Sequence, residues 1–308
     1  MEVNLQKEIL EQTKTLADFR QYLLDDGKAD RTVQSYVADV FHFLSHVNDV
    51  NPKRASELTR QDMTQFRNHM VEKSFKPATV NKAVNSLSCF CQWLQATGLH
   101  PEGQKLIDPK RDRVKVAAGS EGEVSVFTDD ELARINAYVS DPTTISQRNR
   151  LVVNLLLYTG CRVSELVNIR NADVDFVIGT VTLLGKGDKL REVPIRSDVA
   201  QLMKEYLKGE RSESKFSDSS PYLLVSQRSS QICRDGVATM LERIGQDLDI
   251  DGSLNPHRFR HNFCSRLVQK GVPISTVSKL AGHASVQTTA TYYVNTSRKD
   301  KQAAVDLL

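Results

Sequence analysis

Residues 255–293, NPHRFRHNFCSRLVQKGVPISTVSKLAGHASVQTTATYY, collect basic and hydroxyl side chains in a stretch poor in carboxylates. Pro256 opens a helix whose start is crowded by His257, Arg258, Arg260 and His261. His283 follows a glycine, and Tyr292 comes nine residues later. Cations gathered around a phenol suit a phosphodiester: they stabilise charge on the phosphoryl oxygens while the tyrosine acts as nucleophile.

Around that stretch lie 308 residues, enough for two domains that each bury a core. A hydrophobic share of 40% and a charged share of 26% are ordinary for a soluble globular chain. The formal charge of +3 permits a polyanionic partner without by itself predicting one. The five cysteines (Cys89, Cys91, Cys161, Cys233, Cys264) are odd in number, and no CxxC pair occurs, so neither a disulfide framework nor a zinc site is expected. The start MEVNLQKEIL carries acids and lacks a signal-peptide core, and no apolar run approaches membrane-spanning length. A cytoplasmic location is expected.

From Thr15 the N-terminal part reads as four helices. Leu16, Phe19 and Leu23 precede a stop at Gly27, and Asp30 is placed as the N-cap of a helix with a stripe of Val33, Val37, Val40, Leu44 and Val47. Thr59 and Asp62 form a capping-box variant before Met63, Phe66 and Met70. Pro77 opens a fourth helix with the face Val80, Val84, Leu87, Cys91 and Leu94, closed by Gly98. This predicts an all-α domain over residues 1–104. Arg31, Thr32, Lys76 and Lys82 are its candidate DNA contacts, on helix starts and faces mixing hydroxyl, amide and basic groups; a solvated helix face is the plainer alternative. Residues 105–126 lack apolar period and read as a basic linker, whose Lys110, Arg111 and Arg113 could follow a phosphate backbone.

A second domain is expected over residues 127–308. Thr128 and Glu131 form a capping box, and residues 150–158 (RLVVNLLLY) are apolar on all sides, a buried central helix. Thr159-Gly160 breaks it, and Arg162 stands at the next helix start, either functional or paired structurally with Glu165. Residues 181–195 read as a β-hairpin with Lys186 on its glycine-rich turn; further short strands are expected at 175–178 and 222–225, and helices at 197–208 and 234–248. The final apolar patch, Ala303, Ala304, Val305, Leu307 and Leu308, is too short to fold alone and needs a surface to dock on.

The ordered set Arg162, Lys186, His257, Arg260, His283 and Tyr292 resembles the tyrosine recombinase/integrase family. TGCRVSELVNI is similar to its first-arginine motif, LLGKGDKLREVPI to its lysine hairpin, HRFRH to its His-x-x-Arg pair, and LAGH followed by Tyr292 to its closing motif. Within the family the chain looks most like Xer-type and transposon-resolution recombinases. One departure is the Arg258-Phe259 pair, where many relatives carry aliphatics, which predicts a more basic helix surface. With about a dozen residues before the first expected helix, no separate arm-binding domain is expected.

The resemblance implies a fold that is mainly α with a small antiparallel β-sheet in the C-terminal domain. It implies a two-domain C-shaped clamp, a helical SAM-like core-binding domain plus a tyrosine recombinase catalytic domain. It implies a metal- and cofactor-independent, site-specific DNA recombinase working through a 3′-phosphotyrosyl intermediate and a Holliday junction. Arg162, Arg260 and His283 would hold the phosphate, His257 accept the tyrosine proton, Lys186 protonate the leaving 5′-oxygen, and Glu165 orient the site. Spacing favours Tyr292 over Tyr293 as nucleophile. The implied partners are duplex DNA with an inverted-repeat core site and copies of the chain, as dimers on DNA and a tetramer in the synapse, with the C-terminal patch docked on a neighbour. A bacterial, nucleoid-associated protein is implied. A type IB topoisomerase-like nicking-closing enzyme and a catalytically inactive architectural DNA-binding protein are the rival readings.

Overall fold

In the computed structural model, residues 2–115, 126–185, 188–283, 285, 286 and 289 are described, with side chains from residue 13 onward. Lys186, Tyr292, Tyr293 and the patch at 303–308 lie outside the described residues. The chain divides into two compact units, Met1–Gly122 and Glu123–Leu308.

The first unit is helical: α1 (Glu2–Asp25), α2 (Asp30–Val50), α3 (Arg60–Glu72), α4 (Pro77–Ala96) and the single turn α5 (Pro109–Asp112). Helix α1 begins far before Thr15, because residues 2–12 are mostly straight-chain helix formers with no breaker and need no apolar stripe to continue the helix. The N-cap of α2 is Ala29, not Asp30, which occupies the first helical position and faces the positive end of the helix dipole. Thr59 and Asp62 make the expected reciprocal capping box of α3. The predicted stripes of α2 and α4 converge on one core with Phe19, Phe43, Phe90 and Trp93. Phe19 and Phe90 meet edge-on, their centroids 5.1 Å apart.

Residues 105–115, expected as the first half of a linker, instead pack on this unit. Leu106 and Ile107 are buried in its core. Arg60 holds Asp112 at 2.6 Å, and the Asn81 side chain brackets Val114, accepting from its N–H at 2.8 Å and donating to its carbonyl at 3.1 Å. Alternation of charge with a few apolar residues hid this from the sequence, since two buried side chains make no period.

The second unit is built on α7 (Gln147–Thr159), whose Leu151, Val152, Val153, Leu155 and Leu156 are fully buried. Helix α7 packs against α6 (Asp129–Ser140), α8 (Val163–Val167), α9 (Ser197–Lys208) and α11 (Pro256–Gln269). An antiparallel sheet of β1 (Val174–Asp175), β2 (Thr180–Leu184) and β3 (Leu190–Pro194) runs in sequence order, with Val181 opposite Val193 and Leu184 opposite Leu190. Helix α10 (Arg234–Asp247) contacts α8, and α12 (Ile274–Ala281) packs on α11 and β3.

Two expected strands are corrected. The first stops at Asp175, because the Asp175 carboxylate accepts the N–H groups of Val177 and Ile178 at 2.8 and 2.9 Å and turns the chain. Residues 222–225 form only an isolated bridge between Tyr222 and Arg170. Two of the carbonyls a strand would use there are taken by Arg211, which donates to Tyr222 at 3.0 Å and Leu223 at 3.2 Å, as well as to Ser217 and Ser220. Among the described residues no helix is long and apolar enough to cross a membrane.

Arg258 also departs from expectation, for it adds nothing to the surface. It is buried, pairs with Glu131 of α6 at 2.6 Å, donates to the Asp251 carbonyl at 2.8 Å and lies 4.5 Å over the Phe127 ring. It ties the start of α11 to α6, while Phe259 beside it enters the core. Removing one partner of a buried pair leaves an uncompensated charge. Arg258→Met is therefore expected to lower stability by about 3 kcal/mol in chemical denaturation, and adding Glu131→Gln should recover part of that loss.

Candidate active site

Arg162 is the N-cap residue of the short helix α8, two residues after the left-handed Gly160 that ends α7. Glu165, three residues on, accepts the Arg162 backbone N–H at 2.7 Å and its Nη1 at 2.9 Å. The Glu165 side chain is 1% exposed, whereas that of Arg162 is 37% exposed. The structural pair and the functional exposure thus coexist: one edge of the guanidinium is anchored and the residue still reaches solvent.

Glu165 is also gripped from the far side. Arg191 of β3 donates Nη1 to Oε1 and Nη2 to Oε2, both at 2.8 Å, and its Nε donates to the Leu280 carbonyl at 2.9 Å. Burial opposes the Glu165 anion, but the hydrogen bonds from Arg191 and the Arg162 N–H outweigh it and hold the carboxyl below its ordinary value. Arg162 Nη2 donates to the Gly282 carbonyl at 3.0 Å. Gly282 ends α12 in the left-handed conformation with φ 66°, and a Cβ there would lie 2.7 Å from Arg191 Nη1. Glycine is required at this position twice over, by its φ and by the guanidinium against it.

Helix α11 supplies the next groups. Asn255 caps it by accepting the N–H groups of His257 and Arg258, both at 3.0 Å, and Pro256 takes the first position, where no N–H is needed. This fixes the helix phase so that His257, Arg260 and His261 share one side. The His257 and His261 rings lie 4.4 Å apart. Arg260 is 3% exposed. Its Nη1 donates to the Gly160 carbonyl at 2.7 Å, and its buried Nη2 has no hydrogen-bond partner among the described residues. At Gly160 a side chain would run into the Phe263 ring, so the backbone comes close enough to offer that carbonyl.

His283 follows α12, its Nδ1 2.7 Å from the hydroxyl of the buried Thr289. The histidines feel one another and the arginines. Desolvation, then Arg260 and Arg162, lowers the pKa of His257. Desolvation and the same arginines push His283 down to about 4, and desolvation with His257 and Arg260 does so for His261. Arg260 is likewise disfavoured as a cation, first by burial and then by the charge of Arg162. The cluster therefore carries clustered guanidiniums, neutral imidazoles at pH 7 and one carboxylate that is already bound: a place built for an anion.

Arg162, Glu165, His257, Arg260 and His283 are thus brought together; Lys186 and Tyr292 lie outside the described residues. Sequence reading noted His261 in the cationic cluster without giving it a role, and missed Arg191, Thr289 and the Gly160 carbonyl. Only the alternation of β3, which puts Arg191 on the same face as the buried Val193, carried any hint of the first. Among the described residues no group of three or more His, Cys, Asp or Glu could hold a metal ion.

The DNA-contact candidates belong to the other unit. Arg31, Lys76, Lys110 and Arg111 are exposed near the starts of α2, α4 and α5, and Thr32 is half-buried. Lys82 is exposed as well; it pairs with the buried Asp39 at 2.9 Å and donates to Ser35 at 3.1 Å, while Ser86 donates to Asp39 at 2.7 Å. Arg113 is exposed and donates to Asn85 at 2.9 Å.

The catalytic-type unit matches the phage integrase family over residues 125–299, and residues 15–100 match the phage integrase N-terminal SAM-like domain. The chain belongs to the phage integrase family, the tyrosine recombinases. It is 30% identical to the tyrosine recombinase XerA of Thermococcus kodakarensis, covering 92% of this chain and 91% of that one. It is 29% identical to the tyrosine recombinase XerC of Herpetosiphon aurantiacus, covering 90% and 89%. In fold it is similar to the XerH recombinase bound to palindromic difH substrate, with TM-score 0.73, 21% identity and coverage of 89% and 78%. It is also similar to the Tn1549 transposon integrase with transposon right-end DNA, with TM-score 0.75, 17% identity and coverage of 96% and 99%. Two-domain tyrosine recombinases, mostly helical with a small sheet, share this architecture.

The lowered histidine pKa values make stability depend on pH. Between the ordinary 6.5 and about 4, His261 and His283 are protonated in the unfolded chain but neutral when folded. The unfolded state then binds more protons, so stability falls as the pH drops through that window. The melting temperature should decline from pH 7 to pH 4.5, and His283→Asn should flatten that decline measurably in calorimetry.

Proposed function

We propose that this chain is a site-specific DNA recombinase that cuts and rejoins strands through Tyr292. The observation that carries the reading is the buried Arg260 Nη2, without a partner among the described residues, set beside the partly exposed Arg162. An unmet buried donor is costly, and a phosphate oxygen would complete it. Two planar guanidiniums can hold the non-bridging oxygens with the directional geometry that a lysine lacks.

In the proposed reaction the Tyr292 phenol oxygen attacks the scissile phosphorus and its proton passes to His257. The lowered His257 pKa keeps that group neutral at pH 7 and able to accept it. The bond from phosphorus to the 5′-oxygen breaks as Lys186 supplies a proton, leaving a 3′-phosphotyrosyl link and a free 5′-hydroxyl. Attack by a 5′-hydroxyl from a second duplex reverses these steps and exchanges the strand. One pair of exchanges makes a Holliday junction and the second resolves it. Arg162, Arg260 and His283 carry the charge of the transition state, and Glu165 orients Arg162. Phosphodiester energy is retained in the covalent link, so the cycle uses no cofactor.

In this reading residues 1–104 bind the core site through Arg31, Thr32, Lys76 and Lys82, the following segment adds Lys110, Arg111 and Arg113, and residues 127–308 catalyse. Lys82 also holds Asp39. Two copies bind an inverted-repeat site, two such dimers make the synapse, and the patch at 303–308 docks on a neighbour. The setting is the cytoplasm, on the nucleoid.

The test is covalent capture. Incubated with fragments of its own genome and then denatured, the protein should recover linked ends from an inverted-repeat site. Tyr292→Phe should recover none; an adduct that persists moves the nucleophile, first to Tyr293. Arg162→Lys or Arg260→Lys should slow adduct formation by about 10²–10³-fold. A plasmid with two captured sites should give deletion or inversion. Relaxation alone would mark a nicking-closing enzyme, and no adduct at all an architectural protein.

A further inference from the structure

We propose that Arg191 is a positioning residue for strand cleavage: through Glu165 it sets the Arg162 guanidinium, and through the end of α12 it sets His283. The proposal rests on the recombinase reading above. Arg191 does not itself face a substrate. Its side chain is 12% exposed, and all three guanidinium nitrogens are engaged inside the protein, two on Glu165 and Nε on the Leu280 carbonyl.

What this arrangement does follows from counting carboxylate oxygens. Each of the two Glu165 oxygens accepts two hydrogen bonds; the fork of Arg191 takes one place on each, and the Arg162 backbone N–H takes the second place on Oε2. Arg162 is thereby limited to a single side-chain bond with Oε1 and keeps its Nη2 for the Gly282 carbonyl, at the site's edge. A lone arginine beside a buried carboxylate would instead close on it as a bidentate pair, the strongest geometry open to both. Arg191 prevents that collapse. The same two guanidiniums also grip the last carbonyls of α12, where the helix dipole is negative, and the next residue after Gly282 is His283. Because Arg191 lies on β3, one side chain ties that strand to the segments bearing Arg162 and His283.

Lysine at 191 keeps the positive charge beside Glu165 but can satisfy only one oxygen at a time and cannot also reach Leu280 with a second fixed donor. Arg191→Lys should therefore fold. Single-turnover adduct formation on the captured core duplex should slow on the order of 10²-fold, the cost of displacing a reacting group by about 1 Å, while DNA affinity by gel shift changes less than about threefold. A merely structural loss is separated by a second substrate with a methylphosphonate at the scissile position. There one charged oxygen is replaced by a neutral methyl, so placement of Arg162 matters less, and the Arg191→Lys defect should shrink at least about tenfold. Cleavage within about threefold of the unaltered protein, or an equal loss on both substrates, overturns the proposal. If the unaltered protein forms no adduct on this duplex, the recombinase reading fails instead.

Discussion

The charge state of the whole site turns on one buried carboxylate. Glu165 is sealed from water yet kept ionised by two guanidiniums and a backbone N–H. Without those donors it would take up a proton, and Arg162 would lose the group that fixes it. With them, the carboxylate neutralises only part of the positive charge gathered around it. The surplus is left around Arg260, whose cation is disfavoured first by burial and then by the charge of Arg162, and burial together with that positive charge keeps His283 neutral. The electrostatics are therefore assembled before any DNA arrives, which is the arrangement that spends least on reorganisation when a phosphate enters.

Helix α11 shows how such a site is held rigid. His257, Arg260 and His261 turn toward the cluster, while Arg258 and Phe259 turn the other way, to Glu131 and the core. Residues facing the cluster and anchoring residues thus share five consecutive positions, and the anchoring pair fixes the rotation of the helix. The Gly160 carbonyl adds a backbone reference point from α7, the most deeply buried helix of its unit.

Much of this was written legibly in the chain. Apolar stripes placed α2 and α4, and Thr59/Asp62 and Thr128/Glu131 marked helix starts as local side-chain chemistry does. The glycine-rich turn between alternating runs gave the hairpin, and ordered motifs gave Arg162, His257, Arg260 and His283. What stayed hidden needed partners distant in sequence. Arg191 looked like an ordinary strand residue because its carboxylate lies on α8. Arg258 looked like surface charge because Glu131 lies on α6. Residues 222–225 read as a strand because hydropathy cannot reveal that Arg211 takes two of their carbonyls.

The Asn255 cap has a consequence for how this segment can vary. By accepting two N–H groups it fixes where α11 begins, and each residue added after it would rotate everything downstream by about 100°. A single insertion between Asn255 and Arg260 would swing the guanidinium off the Gly160 carbonyl and push Arg258 and Phe259 out of register with α6. The segment thus tolerates exchange of side chains far better than change of length. The distance from cap to arginine works as a ruler, and its gradations are helical turns.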